Sequence, residues 1–360
     1  MDKRRLGRTD LKVTSIGAGC WPIGGACSNL EMGAGWDGVN PTEALNALEY
    51  AFKKGVNVFD TADVYGLGES EKMLGHILKK CIKGGIVKRS DIILSSKVGY
   101  FAVDGIYGFD PEYMEQQLKQ SLKNLQTDYI DIYFFHHQNF GANDDYLEGA
   151  LETMKKFQRD GVIRFIGLRG PHKFSVDRRK KVESHNEMDK FMRLVDFIDP
   201  DVIGVRYNMI SPSYDKNPEN NIFSWAEETD RGVVTYKPLG QGLLLKKHDP
   251  DSPPKFSKDD HRSRKAWFKS KGLEELNSRL KVIGEHFQCK QTADFVRLAL
   301  SYCLGRSNHH CTLVGFKTQQ QLSDAIQTKI TPLTPEEMDY IREIFEDIHS
   351  RIGKFIKFAA

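Results

Sequence analysis

The chain has 360 residues, 39% hydrophobic and 28% charged, an ordinary balance for a globular protein and enough length for one large α/β barrel or two common domains. Its 52 basic and 49 acidic side chains leave a formal charge of +3, which points to neither a nucleic-acid nor a membrane-surface partner. No run approaches roughly eighteen consecutive apolar residues, the opening MDKRRLG lacks the apolar core of a signal peptide, and the six cysteines are scattered with no CxxC pair. We therefore expect a cytoplasmic protein with reduced thiols, no metal and no membrane span.

In chain order, residues 4–13 read as a short hairpin. Short runs rich in Val, Ile, Phe and Tyr then recur at 15–19, 56–62, 92–98, 130–136, 162–168, 202–208, 233–239 and 312–316. Most are continuous rather than alternating, as in parallel strands covered on both faces. Helices lie between them. Asn40-Pro41-Thr42-Glu43 supplies a cap, a proline at the first helical position and an early glutamate. Asp110-Pro111-Glu112 starts another helix in the same way. The basic run 178–181 reads as solvated surface. The polar stretch 246–271, with Pro253 and Pro254, predicts a long loop, and loops of that length are often functional. Thr334-Pro335-Glu336-Glu337 begins one last long helix with Met338, Ile341, Ile344, Ile348 and Ile352 on one face.

Alternating strand and helix implies parallel strands with right-handed crossovers, and eight such units closing on themselves make a (β/α)8 TIM barrel, here one domain over residues 1–360. The alternative, an open doubly wound sheet, prefers a GxGxxG turn after its first strand. Gly17, Gly19, Gly24 and Gly25 in IGAGCWPIGG have a different spacing.

Barrel chemistry sits at the carboxyl ends of strands. The second strand ends in FDTADVYG, bringing Asp60 and Tyr65; the third in SSKVG, bringing Lys97; the fourth in DIYFFHH, bringing His136 and His137. A carbonyl that accepts hydride develops negative charge on oxygen and needs a proton. A free phenol, with a pKa of about 10, donates poorly at neutral pH. A lysine cation beside it lowers that value, a carboxylate keeps the lysine charged, and an imidazole can orient the carbonyl oxygen. Singly, each residue has a plainer reading as a structural ion pair, a half-buried aromatic or a core histidine. Together, at three consecutive strand ends, they read as one proton-transfer cluster.

DTADVYGLGESEKMLG, SSKVG and DYIDIYFFH resemble the aldo-keto reductase family, as do LGRTDLKVTSIGAGCWPIGG near the start and GVVTYKPLGQGLL and LVGFKTQQQL near the end. The likeness runs over nearly the whole chain in the right order. It implies a (β/α)8 barrel, NADPH-dependent carbonyl reduction of a small molecule, and a catalytic tetrad of Asp60, Tyr65, Lys97 and His136; His137 inherits no role. It also implies that the loops after strands seven and eight grip the cofactor. These carry Tyr236, Lys237, Pro238, Leu239, Gly240 and Gly242, then Gly315, Lys317 and Gln321. Tyr236 would stack on the nicotinamide. Lys317 would face the 2′-phosphate and favour NADP. Gln321 would approach the adenine, or complete a capping box with Thr318, or both.

Three positions depart from the family pattern. Arg169 and Gly170 replace its Ser-Asn pair, Gly204 its strand-six glutamine, and Ala325 a late asparagine. The usual clamp on the carboxamide is therefore missing. Arg169 either replaces part of it, contacts a phosphate, or meets an acidic substrate. Trp21, Trp36 and Tyr100 would line an apolar substrate pocket, with a core role equally open for Trp21. Glycines around Trp36 suggest a mobile loop. Two rival functions stay open: a cofactor-binding regulatory subunit with slow turnover, and a lyase or isomerase using the same cluster.

Overall fold

The structure is a computed structural model that describes residues 3–101, 103–170, 182–211 and 221–355; the basic run 178–181 lies outside them. β1 (Lys3–Arg5) and β2 (Lys12–Thr14) form the N-terminal hairpin, and β3 (Ile16–Gly19) is the first barrel strand. β4 (Ser28–Asn29) and β5 (Met32–Gly33) form a second small hairpin, which the sequence pattern did not reveal. The remaining barrel strands are β6 (Val58–Asp60), β7 (Ile93–Val98), β8 (Ile130–Phe135), β9 (Ile163–Arg169), β10 (Val202–Arg206), β11 (Gly232–Tyr236) and β12 (His310–Gly315). Every neighbouring pair is parallel, and the order β10-β11-β12-β3-β6-β7-β8-β9 closes. The β12–β3 pairing sets Thr312 beside Ile16, which an open sheet would not do.

Around the barrel run α1 (Pro41–Lys53), α2 (Glu69–Lys83), α3 (Pro111–Leu125), α4 (Leu147–Arg159), α5 (Val182–Ile198), α6 (Ile222–Glu228), α7 (Ser270–His286), α8 (Thr292–Leu304) and α9 (Gln319–Ile326). The caps work as their sequences suggest: Asn40 accepts from the amides of Thr42 and Glu43, and Asp110 from that of Tyr113. Thr334 and Glu337 form a reciprocal capping box.

Two expectations need correction. The last long helix is two, α10 (Pro335–Phe345) and α11 (Ile348–Phe355), separated by a turn at Glu346 and Asp347. Its apolar face survives the break, since Met338, Ile341, Phe345, Ile348 and Ile352 are all buried. The long loop ends early because α7 begins at Ser270, and short 3-10 turns at His261–Arg264 and Ala266–Phe268 give it internal structure. The first turn is fixed by Asp260, fully buried, which accepts from the Arg262 amide and pairs with its guanidinium at 2.6 Å.

Strand alternation sorts the barrel. Val58, Ile93, Ile132, Val202, Val234 and Cys311 share an inner cluster with Leu6, Leu11 and Val13 of the first hairpin, which plugs the amino end. Phe59, Leu94, Tyr133 and Phe135 point the other way and pack under the helices. With a period of two, Asp60, Lys97, His136, Arg169, Arg206, Tyr236 and Gly315 fall on the inward parity at the carboxyl ends.

Candidate active site

All of these residues line one cavity of about 830 Å³ at the carboxyl mouth, together with Tyr65, Trp21, Trp36 and Tyr100. The Lys97 ammonium donates to Asp60 Oδ1 and to the Thr61 carbonyl, both at 2.6 Å. Ser95 Oγ donates to the other Asp60 oxygen at 2.8 Å, which fixes the carboxylate from its neighbour strand. Lys97 lies 4.8 Å from the centroid of the Tyr65 ring, and that ring meets His136 edge-on at 5.7 Å. The four residues that the sequence singled out are thus brought together.

Their electrostatics refine one expectation. Burial opposes the charge of Lys97, but Asp60 and Tyr65 outweigh it and hold the ammonium above its ordinary value. For Tyr65 the balance runs opposite to the sequence reading: burial raises the phenol pKa, and Lys97, then Arg169, offset this only in part. Lys97 is the strongest lowering influence, yet desolvation wins, so the phenol keeps its proton at neutral pH.

Tyr65 opens a tight turn, Tyr65–Gly68, in which Gly66 has φ 62° and Leu67 φ 53°. This turn sits against the loop after β3. A Cβ on Gly24 would lie 2.8 Å from the Gly66 amide nitrogen and 2.9 Å from the Tyr65 carbonyl carbon. The small residues there let two backbones touch, and the contact sets where the phenol stands. Trp21, in the same loop, lies roughly parallel to Tyr65 at 5.8 Å, and its indole N–H donates to the Ala34 carbonyl at 2.8 Å. The Trp36 segment is tied to its neighbours by backbone hydrogen bonds: Gly35 N donates to the Cys27 and Asp259 carbonyls, and Trp36 N to that of Gly25.

His137 faces away from the cleft. Its Nδ1 accepts from the Asn139 amide at 3.2 Å, so Nε2 carries the proton and donates to the Gly99 carbonyl at 2.9 Å. Burial, and to a smaller extent Arg169, lowers its pKa to about 4.

The other candidates divide. Arg169 Nε donates to the Tyr236 hydroxyl at 3.0 Å, and its Nη1 to the His136 carbonyl at 3.3 Å. Burial works against this cation, but the Tyr236 and Tyr100 phenols prevail and raise its pKa further. Lys237 adopts φ 61° at the end of β11 and reaches across the mouth until its ammonium is 5.0 Å from the Trp21 ring. Burial, then Arg206 and Arg169, push its pKa well down. Pro238, Leu239, Gly242, Lys317 and Gln321 line the cavity, but Gly240 is buried behind it, against Ile210 and Leu244. Lys317 Nζ donates to the Asp37 carbonyl at 3.1 Å. Thr318 accepts from the Gln321 amide, while Gln321 Oε1 reaches back to the amide of Lys317 rather than Thr318. The capping box is therefore shifted by one residue. At Gly204, a Cβ would stand 3.5 Å from the Phe134 ring and 3.9 Å from that of Tyr236, and Ala325 is sealed in the core.

Sequence reasoning missed Arg206, His261, Arg262, Arg264, Lys265 and Lys247, which line the same cavity; the arginines and lysines bring cationic side chains to it, while burial keeps His261 neutral. Arg206 had a usable signal, since it ends β10 as Arg169 ends β9. The run HRSRK, inside the long loop, was the signal for most of the others.

A relay of this kind at one end of a long cationic cleft describes a class: barrel oxidoreductases that act at a carbonyl or an alcohol. The profile of the Aldo/keto reductase family matches residues 23–346, and the chain belongs to that family. L-galactose dehydrogenase of Arabidopsis thaliana is 27% identical over 340 residues, covering 94% of this chain and 91% of the relative. The NADH-specific methylglyoxal reductase of Escherichia coli is 26% identical over 358 residues, covering 96% and 99%. Among solved structures, the holo form of an aldo-keto reductase from Bacillus halodurans superposes with a TM-score of 0.67 at 26% identity, covering 96% of each chain. Among the described residues, no helix is long and apolar enough to cross a membrane.

Proposed function

We propose that the protein reduces an aldehyde or ketone with NADPH and that Tyr65 delivers the proton. The observation that carries this reading is the Lys97 ammonium, bonded to Asp60 at 2.6 Å and lying beside the Tyr65 ring in a cleft shared with His136. His136 orients the carbonyl oxygen towards the phenol. As the proton leaves, negative charge grows on the phenol oxygen, and Lys97 stabilises it most at that moment. Asp60 keeps Lys97 charged.

The residues present suit a dinucleotide. The Tyr236 ring offers a platform at the tetrad end, and Lys247, Arg262 and Lys317 gather cations further along the same cavity. When bound, the reduced nicotinamide supplies the hydride. Arg169, bonded to the Tyr236 hydroxyl, is a hydrogen-bond donor that would be available beside a nicotinamide stacked on Tyr236. Pro238, Leu239 and Gly242, which line the cavity, would hold the pyrophosphate, with Gly315 at the end of β12 and Gln321 towards the adenine. Lys317 supports NADPH over NADH, a preference that differs from the one named for the Escherichia coli relative.

The test is loss of cofactor absorbance with a panel of aldehydes and ketones. Tyr65→Phe should lower kcat by about 10²–10⁴-fold, the usual contribution of a positioned acid, with NADPH affinity near wild type. Turnover equal to wild type in that variant would remove Tyr65 from the role. Lys317→Ala should weaken NADPH by roughly tenfold, as for a charge-assisted hydrogen bond, and NADH far less. Equal losses would end the case for NADP. Tight NADPH binding with negligible turnover across the panel would favour a regulatory subunit instead.

A further inference from the structure

We propose that Asp63 is a positioning residue that works as a neutral acid: its carboxyl keeps a proton beside the ionised Glu71, and in that form it ties the turn bearing Tyr65 to the strand bearing Lys97. The positioning role rests on the reading of the site as a carbonyl reductase; the neutral acid does not. Asp63 stands two residues before Tyr65. Its Oδ1 accepts from the Val64 amide at 2.7 Å, and its own amide donates to the Lys97 carbonyl at 3.5 Å. One residue thus links the backbone that enters the Tyr65–Gly68 turn to the end of β7.

The surroundings decide its charge. Asp63 and Glu71 are both buried, at 4% and 1% exposure. Lys97 acts on both from β7, but its ammonium is already bonded to Asp60 at 2.6 Å. Glu71, in the first turn of α2, is built as the anion of the two. One of its oxygens accepts from Ser96 Oγ at 2.7 Å and the other from Asn124 Nδ2 at 3.0 Å. Asp63 has no such pair of donors. Its Oδ2 is buried and, among the described residues, has no hydrogen-bond partner. Tyr133 pairs with Ser96 in the β7–β8 register, and its phenol feels both carboxyls and Ser121. Yet Tyr133 Oη and Ser121 Oγ are equally without partners, so neither supplies the donor that an anionic Oδ2 needs. A buried charge left in that condition costs far more than a buried neutral group. Burial, then the charge of Glu71, accordingly hold the Asp63 carboxyl well above the ordinary carboxylate range, against the Val64 amide and Lys97. The titratable groups facing it are Glu71 from α2, Lys97 from β7, Tyr113 from α3 and Tyr133 from β8.

The experiment uses wild type, Asp63→Asn and Asp63→Ala. Infrared spectra in deuterium oxide near neutral pH should show the C=O band of an un-ionised carboxyl in wild type and not in Asp63→Asn, the neutral isostere. A wild type without that band, or an Asp63→Asn that keeps it, overturns the neutral acid. Stability gives a second reading. An unfolded aspartate ionises at about 4, and the folded one higher, so the folded state holds the extra proton and wild type loses stability as pH rises between the two. The urea midpoint of wild type should therefore fall relative to that of Asp63→Asn from about pH 5 to about pH 8. A difference that stays constant over this window also overturns the neutral acid. For the positioning role, kcat per folded protein with the aldehyde panel should drop roughly tenfold or more in Asp63→Ala, the scale of a slightly displaced catalytic group. NADPH affinity, by fluorescence titration, should stay near wild type. Asp63→Asn, whose amide oxygen still accepts from Val64, should restore most of the lost rate. An unchanged kcat in Asp63→Ala, or equal losses in both variants, overturns the positioning role. Failure of wild type to reduce any carbonyl overturns the reductase reading, while the infrared and unfolding results still decide the acid.

Discussion

Two imidazoles stand side by side at the end of β8, and strand parity alone decides which of them faces the cleft. His136 follows Ile132 and Phe134 inward, while His137 turns outward and ties Gly99 to Asn139. That structural role has a pH signature. His137 has a pKa of about 4 in the folded chain, against about 6.5 in an unfolded one. Between those values the unfolded state binds more protons, so stability should fall as pH drops from about 6.5 to 4, by at most about 3 kcal/mol. Urea unfolding of wild type and His137→Gln across that window checks it; equally steep acid limbs would refute the assignment. The sequence showed the pair HisHis but not its division of labour. It also gave Tyr65 a lysine neighbour without its burial, so the net direction of the phenol shift was not readable from residue types.

At the scale of elements, the tetrad was legible because a strand end is a local signal. A continuous apolar run that stops at a charged or polar residue marks the mouth of a barrel; Asp60 and His136 each stop such a run, and Lys97 follows Ser95 and Ser96 at the end of another. The cap at Asn40 was equally local. What escaped depended on packing between distant segments. The Asp260 turn forms because its carboxylate meets Arg262 and the Asp37 amide, and no periodicity announces that. The break between α10 and α11 interrupts a face whose period continues across it. The turn that carries Tyr65 is another such case, since its partner is Gly24, some forty residues earlier in the chain. Adding one methyl in Gly24→Ala must move the Tyr65–Gly66 peptide, because the new carbon would lie 2.8 Å from Gly66 N. We expect a several-fold loss of kcat with a stability cost of about 1–3 kcal/mol, as for overpacking. Measured kcat and Tm decide it: a lowered Tm with unchanged kcat would mean that the contact does not position the phenol.

The whole molecule keeps its chemistry and its closure at opposite ends. The mouth gathers charge, whereas the amino end is stoppered by Leu6, Leu11 and Val13. Leu6 is fully buried, and a Cβ on Gly232 would lie 2.6 Å from its Cγ. Leu6→Ala should cost about 2–5 kcal/mol while the folded fraction turns over at the wild-type rate; denaturant midpoints and kcat per folded protein measure the two effects, and a loss of kcat would show that the ends are coupled. The stopper is also clamped by charge, with Arg5 on Asp230 and Arg8 on Asp199 and Asp201. These pairs join the first residues of the chain to segments made some two hundred residues later, and the β3–β12 seam joins its first barrel strand to its last. On the ribosome, that seam waits for nearly the entire polypeptide. Until His310–Gly315 emerges, β3 and β11 are bare sheet edges able to recruit strands from other chains. The nascent protein is therefore most prone to aggregate just before its ring shuts, and slower translation upstream of β12 would lengthen that exposure.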